Sequence, residues 1–499
     1  MSDTPKASPP QKLLDMDEVR VDPAWALKIP AALALKRQIL PFAAVNGRVY
    51  VACTEGVDRA ALEAVARAMG LPIVAQRAEP ASLRRALGRV FSGQAPAGQN
   101  QSATAETAES DSEGAVAICE ELLQAAILRQ ASDIHLDPDE KQMHVRLRVD
   151  GNMERYRSLP MAVHAAVINR FKILGKMDIA EKRAPQDGHF THRYGPGGQS
   201  VDVRLASLPT KYGERMTVRL LALQTESLTL ERLGMSPADL EHFVNAVEKP
   251  HGLILLTGPT GSGKTTTLYA ALRRIIGRKD QNIITLEDPI EYGIPGVAQV
   301  EVDSGDKVSF GKALRSVLRH DPDVVMIGEI RDRETADVAI KASLTGHLVL
   351  STLHTNSAAS TITRLVDMGI ERYLVAAALR LAVAQRLVRR LCNHCGKPRE
   401  LTEPEAVALG NPAAAGATVY EPAGCMYCAN RGFVGRIGLF EMLPCDESLS
   451  RLIAEGADEG VIIREARQRH IPRLIDDALE KICCGHVTVR EVLSAVTVW

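Results

Sequence analysis

The 499-residue sequence predicts an α/β protein of three or four domains. Three observations support this fold class. An apolar strand, a glycine-rich turn and a helical pattern follow one another in the second half of the chain, alternating strands mix with helices in the first half, and a polar segment separates off a small N-terminal domain. At roughly 100 to 200 residues per domain, the length provides for several hydrophobic cores.

The composition excludes several classes of protein. The chain has 60 Lys+Arg and 61 Asp+Glu, a formal charge of −1, and only 4% aromatic residues. Nonspecific binding to nucleic acid needs clustered positive charge and aromatic stacking platforms, so we expect no nucleic-acid partner. Nine cysteines are too few for a disulfide scaffold, and an odd count cannot pair fully. A reducing, cytoplasmic compartment is expected.

The chain carries no pattern that predicts export or membrane insertion. Its first twenty residues are polar and contain prolines where a signal peptide would need an apolar core. No segment approaches the roughly 18 apolar residues of a membrane span. We therefore expect the protein to reach a membrane only through partners.

Residues 1–91 are predicted to form a small N-terminal α/β docking domain. A short strand at 49–52 follows an Asn-Gly turn, and residues 61–69 repeat apolar side chains at helical spacing. No catalytic or metal motif occurs there, which favours a docking or regulatory role. Residues 92–114 have hardly any apolar side chain and are predicted to be a flexible linker.

Residues 115–225 are predicted to form an α+β domain. A helical pattern at 115–128 precedes alternating segments at 144–149, 201–208 and 216–221. From residue 133 to 225 the segment has 15 Lys+Arg against 11 Asp+Glu, which by itself is typical of a solvated face.

The remaining residues, 226–499, contain a phosphate-binding loop. An apolar run at 253–256 leads into GPTGSGKT and then into a helical segment, the strand–loop–helix context of a P-loop. Backbone N–H groups and the helix N-terminus would surround the phosphates, Lys264 would reach the β- and γ-phosphates, and Thr265 would bind Mg²⁺. The predicted ATP-binding residues are Gly258, Pro259, Thr260, Gly261, Ser262, Gly263, Lys264, Thr265 and Thr266.

Two further apolar strands end in acidic residues. DVVMIGEIRD places Glu329 at a strand end with Gly328 where an Asp usually stands, and IITLEDPIE places Glu287 at another. Either carboxylate could orient the attacking water, and both are kept as catalytic candidates. A third strand, in HLVLSTLHTN, is preceded by His347 and followed by His354, candidates for sensing the γ-phosphate, although a structural role is the alternative for each.

Four cysteines have the spacing of a structural zinc site. Cys392 and Cys395 are separated by two residues, as are Cys425 and Cys428, and 29 residues lie between the pairs. Four thiolates leave no open position on a tetrahedral Zn²⁺, so the role would be structural. His394 is a substitute ligand that the count of four thiols disfavours, and the other five cysteines are expected to be small apolar core residues. The insertion spans about residues 390–430, and a helical C-terminal tail follows from residue 446.

Several segments together resemble the secretion and pilus-assembly ATPases. They are ASDIHLDP, GPTGSGKTTTLY, LEDPIEY, MIGEIRDRETA, TGHLVLSTLHTN and VAQRLVRRLC, and the resemblance extends from about residue 115 to the C-terminus. It implies a recombinase-like P-loop ATPase domain, with LEDPIE as the Asp box, GEIRD as Walker B and TGHLVLSTLHTN as the His box. Arg204, Arg215 and Arg219 match positions that reach the γ-phosphate in this family. A structural ion pair is the alternative for Arg219.

The resemblance also implies partners. We expect a homo-hexameric motor with ATP, Mg²⁺ and Zn²⁺ at the cytoplasmic face of the inner membrane. It would bind the cytoplasmic domain of an inner-membrane secretion protein through residues 1–91, together with an inner-membrane platform protein. The single short domain before the linker favours a motor for pseudopilus assembly and export across the outer membrane in type II secretion over type IV pilus assembly.

Two classes outside the motors for secretion and pili also use a P-loop. A nucleic-acid translocase is disfavoured by the neutral charge and the low aromatic content of the chain. A non-enzymatic nucleotide-binding scaffold is disfavoured because Lys264, Thr265 and Glu329 are all intact. The sequence therefore predicts an ATP-hydrolysing motor.

Overall fold

The computed structural model describes residues 13–91, 107–195, 199–221, 229–277, 280–302 and 309–496. The chain divides into two compact units. The first comprises Met1–Leu223, Cys392–Gly396 and Pro422–Val434, and the second comprises Gln224–Leu391, Lys397–Glu421 and Gly435–Trp499. The two units meet along the chain near residue 223. The two cysteine-bearing segments, however, belong by their contacts to the first unit.

The N-terminal part of the first unit is a three-stranded sheet covered by helices. Its elements are α1 (Pro23–Ala26), α2 (Ala31–Arg37), β1 (Ile39–Val45), β2 (Arg48–Cys53), α3 (Arg59–Met69), β3 (Ile73–Arg77) and α4 (Pro80–Phe91). Asn46 and Gly47 join β1 to β2 with φ values of 50° and 72°, the left-handed backbone that a two-residue hairpin turn needs. The predicted strand lies within β2 and the predicted helix within α3, so both are confirmed.

The middle part of the first unit is an antiparallel sheet of six strands. Its elements are α5 (Thr107–Arg129), β4 (Ala131–Pro138), β5 (Gln142–Val149), β6 (Asn152–Pro160), α6 (His164–Leu174), β7 (Gln186–Tyr194), β8 (Gln199–Thr210) and β9 (Gly213–Leu221). The strand order is β6-β5-β4-β9-β8-β7. Side chains alternate between a buried apolar face and a charged face, as in β5, so the predicted α+β domain is confirmed.

Helix α5 begins earlier than the sequence predicted. The expected linker ends at residue 114, but α5 already begins at Thr107. Alanine and glutamate in this stretch are good helix formers, so a segment with few apolar side chains can still extend a helix whose later turns are packed. Residues 92–106 of the predicted linker lie outside the described part of the chain.

The second unit is built on a mainly parallel sheet of seven strands, in the order β12-β11-β13-β14-β10-β15-β18. Its elements are α7 (Pro237–Val247), β10 (Gly252–Thr257), α8 (Lys264–Ile276), β11 (Ile283–Glu287), β12 (Ala298–Glu301), α9 (Phe310–Val317), β13 (Val324–Ile327), α10 (Arg333–Leu344), β14 (Leu348–Leu353), α11 (Ala358–Asp367), α12 (Arg372–Ala378), β15 (Leu379–Leu391), β16 (Gly396–Glu400), α13 (Glu403–Ala408), β17 (Thr418–Pro422), β18 (Phe433–Pro444), α14 (Glu447–Glu455), α15 (Glu459–Gln468), α16 (Leu474–Cys483) and α17 (Val489–Ala495).

The central strands of this sheet are buried on both faces. In β10, Leu253 and Leu255 join one hydrophobic core, whereas Ile254 and Leu256 join another on the opposite face. Because strands covered on both sides read as continuous apolar runs, β10, β11, β13 and β14 could be located from the sequence. Helices α14 to α17 confirm the predicted helical C-terminal tail. Among the described residues, no helix combines the length and apolarity that crossing a membrane requires.

Candidate functional site

The predicted P-loop lies at the carboxyl end of β10, a strand in the middle of the sheet. The loop ends at Gly263, which is the N-cap of α8 with a φ of 88°, and α8 begins with Lys264. A parallel strand that ends between two neighbours leaves a crevice at the carboxyl edge, and a helix N-terminus there attracts phosphate. The strand, loop and helix predicted from the sequence are therefore confirmed.

The first glycine of the loop allows another strand to approach it closely. Gly258 has a φ of 147°, and a Cβ atom at this residue would lie 2.4 Å from the carbonyl oxygen of Gln385 in β15. Any larger residue would push the loop away from the sheet, since the obstacle is backbone. Glycine is required here by packing as well as by backbone conformation.

Two side chains of the loop suit a phosphate ligand. The Nζ atom of Lys264 donates to the carbonyl oxygens of Gly258 at 2.7 Å and Pro259 at 3.1 Å. Burial lowers the pKa of Lys264 to about 8, and the nearby Glu329 carboxylate opposes that shift. The hydroxyl of Ser262 is buried without a hydrogen-bond partner among the described residues. Within the described part of the chain the ammonium is bonded to neutral carbonyls and the hydroxyl is unsatisfied, so both groups fit an anionic oxygen ligand.

The remaining loop residues face solvent. Pro259, Thr260, Gly261 and Thr265 are exposed, and Thr266 is half-buried. Thr265 is the second residue of α8, so its hydroxyl lies beside the helix N-terminus, where P-loop proteins bind Mg²⁺. An accessible hydroxyl, an oxygen donor, is a suitable ligand for this cation.

Glu329 and His354 lie together beyond the carboxyl ends of β13 and β14. His354 follows β14, Glu329 follows β13, and the Nε2 atom of His354 lies 3.1 Å from a carboxylate oxygen of Glu329. Arg331 contacts the other oxygen. Burial tends to raise the pKa of Glu329, but the bonds from Arg331 and His354 outweigh it and keep the pKa below its ordinary value. Glu329 is therefore an ionised acceptor at the same sheet edge as the P-loop.

Close packing against β11 explains why residue 328 is glycine. A Cβ atom at this residue would lie 3.3 Å from the carbonyl oxygen of Leu286 in the neighbouring strand β11. The N–H of Gly328 donates to that same carbonyl at 2.8 Å. An aspartate in place of the glycine would therefore crowd β11.

Glu287 occupies a different environment from Glu329. It is only 3% exposed, and its carboxylate accepts hydrogen bonds from Thr285 at 2.6 Å, from Gln299 at 3.0 Å and from the hydroxyl of Tyr269. Tyr269 belongs to α8, the helix that begins at the P-loop. The network connects this helix to β11 and leaves little surface of Glu287 open to a water molecule.

The two histidines lie at opposite ends of β14. His354 is at the carboxyl end, with Glu329. His347 is at the amino end, where its carbonyl accepts from the N–H of Gly252, the first residue of β10, and its Nδ1 lies 2.9 Å from the carbonyl oxygen of Ala342. Because β10 and β14 are parallel, His347 is separated from the P-loop by the length of a six-residue strand, about 20 Å. Its position does not support the predicted role in nucleotide binding.

The three predicted arginines share one face of the six-stranded sheet in the first unit. Arg204 and Arg219 are directly opposite each other in β8 and β9. Arg219 pairs with Asp133 at 2.8 Å, and Arg215 pairs with Asp137 at 2.7 Å. The ion pair considered as the alternative for Arg219 is thus present, although 62% of the Arg219 side chain remains exposed.

The four predicted cysteine ligands converge. Their sulfur atoms all lie within 4.8 Å of one another, with Cys392–Cys425 and Cys395–Cys428 each at 3.8 Å. Tetrahedral Zn–S bonds of about 2.3 Å place sulfur atoms about 3.8 Å apart, so the cluster fits Zn²⁺. The N–H groups of Cys425 and Gly432 both point at the sulfur of Cys428 at 3.2 Å, as expected for a thiolate.

The segments around these cysteines, Cys392–Gly396 and Pro422–Val434, are called the knuckle below. His394 is not a member of the cluster, because its ring stacks on Tyr427 at 3.8 Å between centroids. The carbonyl of Tyr427 accepts from the N–H of Arg20 at 3.0 Å, and Arg431 pairs with Glu154 at 3.2 Å. Met426, Tyr427 and Ala429 pack against the core of the N-terminal domain. The knuckle therefore contacts both parts of the first unit.

Two residues beside the P-loop had no role in the sequence-based prediction. Gln385 and Arg386 lie within VAQRLVRRLC, which was noted only for its resemblance. They reach the loop because β15 pairs with β10, with Ala384 opposite Thr257. Strand order in the sheet is a long-range property, so no local pattern predicts this contact.

The chain is similar to proteins of known families. Residues 108–494 match the family described as Type II/IV secretion system protein, and residues 10–97 match the MshEN domain. The type II secretion system protein E of Pseudomonas aeruginosa is 42% identical over 484 residues, which cover 93% of this chain and 95% of that protein. The type IV pilus assembly ATPase PilB of Myxococcus xanthus is 39% identical over 499 residues, covering 96% of this chain and 88% of that protein. The crystal structure of the pilus retraction motor PilT with bound ADP is 26% identical, with a TM-score of 0.52 over 75% of this chain and 95% of that chain.

Proposed function

The chain belongs to the Type II/IV secretion system protein family, and from that premise we propose that it hydrolyses ATP to drive protein export by a type II secretion system. One observation supports the chemistry most strongly. The P-loop with Lys264 and the ionised Glu329 with His354 lie at the carboxyl ends of parallel strands of one sheet. Binding groups for phosphate and an acceptor for the proton of water are thus at the same edge.

Each group has a distinct task in this proposal. Lys264 exchanges its two carbonyl partners for phosphate oxygens, and Ser262 gains a partner for its buried hydroxyl. Thr265 would hold Mg²⁺, which when bound would supply positive charge to neutralise the phosphates. Glu329 orients the attacking water, because Glu287 already accepts three hydrogen bonds within its buried network. His354 holds the Glu329 carboxylate in place.

Glu287 has a structural role in this proposal. Its bonds to Tyr269 and Thr285 join α8 to β11, and this fixes the helix that begins at the P-loop. We propose further that one of Arg204, Arg215 and Arg219 brings positive charge to the γ-phosphate. Their shared face and the exposure of Arg219 support this role, since a guanidinium stabilises the charge that develops during phosphoryl transfer.

We propose Zn²⁺ as the resident metal of the four-cysteine cluster. The sulfur spacing and the N–H groups aimed at Cys428 support this assignment. Four sulfur ligands complete the coordination, so Zn²⁺ has a structural role. Metal analysis of protein purified without chelator is expected to give one zinc per chain, and a content far below one contradicts the assignment.

The working assembly in this proposal is a homo-hexamer at the cytoplasmic face of the inner membrane. It contacts the membrane through a platform protein and through the cytoplasmic domain of an inner-membrane secretion protein, which residues 1–91 bind. The near-full-length similarity to a type II secretion protein supports this arrangement. Light scattering of the full chain with a non-hydrolysable ATP analogue is expected to give six times the monomer mass.

A binding experiment separates secretion from pilus assembly. The full chain is immobilised and offered, in separate reactions, the cytoplasmic domain of a type II secretion inner-membrane protein and that of a pilus platform protein from the same organism. Binding of the secretion domain, and its loss when residues 1–91 are removed, is the expected result. Binding of the pilus protein alone contradicts the secretion assignment and favours type IV pilus assembly, the function named for the Myxococcus relative.

A further inference from the structure

The segment VAQRLVRRLC contains two buried polar residues that the proposed catalytic groups do not account for. Gln385 is 2% exposed and Arg386 is 8% exposed, although both belong to residue types that usually face solvent. They follow directly after Ala384, the last residue of β15 that pairs with β10, where it lies opposite Thr257. The chain of β15 therefore passes the P-loop where that loop begins.

Gln385 contacts both ends of the P-loop and the helix that follows. Its carbonyl oxygen would be 2.4 Å from a Cβ atom on Gly258, and its side-chain nitrogen would be 2.9 Å from one on Gly263. Its side-chain oxygen accepts a hydrogen bond from the hydroxyl of Thr267 in α8 at 3.0 Å. One buried residue thus supports the first glycine, the last glycine and the first turn of the helix.

Arg386 connects the P-loop region to the loop after β14. Its guanidinium donates to the carbonyl of Gln385 at 3.1 Å and to the carbonyl of Asn356 at 3.0 Å. Asn356 is two residues beyond His354, which contacts Glu329. A second link runs parallel to this one, because the N–H of Thr355 donates to the hydroxyl of Thr257 at 2.6 Å.

The surroundings of the Arg386 guanidinium are not those of an ordinary ion pair. Among the described residues, no carboxylate lies within ion-pair distance of its guanidinium. Burial lowers the pKa of Arg386, and the more distant Glu441 carboxylate opposes that shift. A buried guanidinium bonded to two backbone carbonyls from separate segments is suited to fixing their relative position, because its planar fork restricts both bonds.

We propose that Gln385 and Arg386 are positioning residues for ATP hydrolysis. Gln385 maintains the curvature of the P-loop and thereby nucleotide affinity, whereas Arg386 keeps the His354 loop in register with the P-loop and thereby supports turnover. This inference rests on the proposed ATPase function. Displacing a catalytic group by about 1 Å can reduce a rate by about 100-fold, so a small shift of the His354 loop is sufficient.

The test compares three variants of the full chain. Gln385→Leu keeps the volume and removes the polar contacts, so we expect ADP affinity to fall at least tenfold. Arg386→Met keeps the apolar stem, so we expect ADP affinity within threefold of the parent and kcat for ATP at least tenfold lower. Arg389→Met is the matched control, because Arg389 lies on the same strand but pairs with Glu491 at 2.6 Å. We expect it to leave both quantities unchanged.

A second variant at Arg386 separates the proposed effect from simple misfolding. Arg386→Lys retains the positive charge but not the planar fork, and we expect the same separation of kcat from ADP affinity. If either Arg386 variant folds and loses less than tenfold in kcat, or loses ADP affinity in parallel, the role of Arg386 is wrong. If Gln385→Leu binds ADP like the parent, the role of Gln385 is wrong. Absence of hydrolysis in the parent protein contradicts the proposed function instead, while the ADP measurement with Gln385→Leu remains informative.

Discussion

The nucleotide site and the four-cysteine cluster differ in how their binding groups are arranged before a ligand is bound. In the P-loop, Lys264 bonds to two neutral carbonyls, and the Ser262 hydroxyl has no partner among the described residues. The oxygens of a bound phosphate would therefore give both side chains better hydrogen-bond partners than the protein does. In the cluster, four sulfur atoms already stand at the separation of a tetrahedral zinc site. Hydrogen-bond partners that are easily exchanged favour binding and release of the nucleotide, whereas a closed set of thiolates favours permanent retention of the metal. The comparison predicts that the two sites can be disrupted independently.

Loss of the P-loop ammonium should have the largest effect. Lys264→Ala removes the only side-chain cation that donates to the carbonyls of Gly258 and Pro259 in the described structure. We expect ADP affinity to fall at least 100-fold, because a bound phosphate loses its charge-assisted bond. Isothermal calorimetry measures this change. Lys249→Ala, an exposed lysine of the same unit, is the control, and an equal loss in both variants contradicts the assignment.

Disruption of the zinc cluster should affect stability and leave nucleotide binding unchanged. In the double variant Cys425→Ser, Cys428→Ser, we expect loss of zinc and a Tm lower by several degrees, since metal binding stabilises only the folded knuckle. ADP affinity should stay within twofold of the parent. Cys483→Ser is the control. This thiol lies outside the cluster and is exposed, as is Cys484, so the expectation that these two cysteines belong to the core is wrong. A large fall in ADP affinity in the double variant shows that the two sites are not independent.

The pH dependence of nucleotide binding follows from Lys264. Burial lowers its pKa to about 8 in the ligand-free protein, and bound phosphate favours the protonated form. ADP affinity should therefore be near its maximum at pH 7 and fall about tenfold by pH 9, as the free protein loses this proton. The phosphate itself ionises near pH 6 and contributes little in this range. A flat profile from pH 7 to 9 contradicts the lowered pKa.

A matched variant sharpens that experiment. Lys264→Arg cannot lose its proton in this range because the pKa of arginine exceeds 12. Its ADP affinity should be weaker than that of the parent, since Arg differs in shape, but should not change between pH 7 and 9.

The smallest effect is expected at the Glu287 network. Tyr269→Phe removes the hydroxyl that bonds to the Glu287 carboxylate and leaves the ring in place. We expect a loss of about 1 to 3 kcal/mol in the free energy of unfolding, the cost of removing one partner of a buried charged group. ADP affinity should change by less than threefold. Denaturant unfolding measures the first quantity, and a stability equal to that of the parent contradicts a structural role for this network.

The sequence predicted the parts of the site that depend on local patterns. Strand β10, the P-loop and α8 are contiguous, so their order along the chain already implies their arrangement. Glu329 and His354 could be placed together because parallel strands align their carboxyl ends. By the same rule His347, which precedes β14, belongs at the opposite edge, and its assignment to the nucleotide site overlooked strand direction.

Contacts between distant segments could not be predicted in this way. Gln385 reaches the P-loop only because β15 joins the sheet beside β10. The knuckle packs against the N-terminal domain, although about 400 residues separate Arg20 from Tyr427. The spacing of the cysteines predicted the metal site but gave no information on its neighbours. The early start of α5 was missed because a polar composition is compatible with both a linker and a helix.

One measurement tests the central claim most directly: phosphate release from ATP by the full chain with Mg²⁺, compared with that of Glu329→Gln, with ATP binding measured in the same samples. We expect the parent to hydrolyse ATP and the variant to bind ATP with similar affinity while releasing phosphate at least 100-fold more slowly, because glutamine keeps the shape but cannot accept the proton of water. Equal rates of phosphate release in the two proteins would contradict the assignment of Glu329 and with it the proposed mechanism.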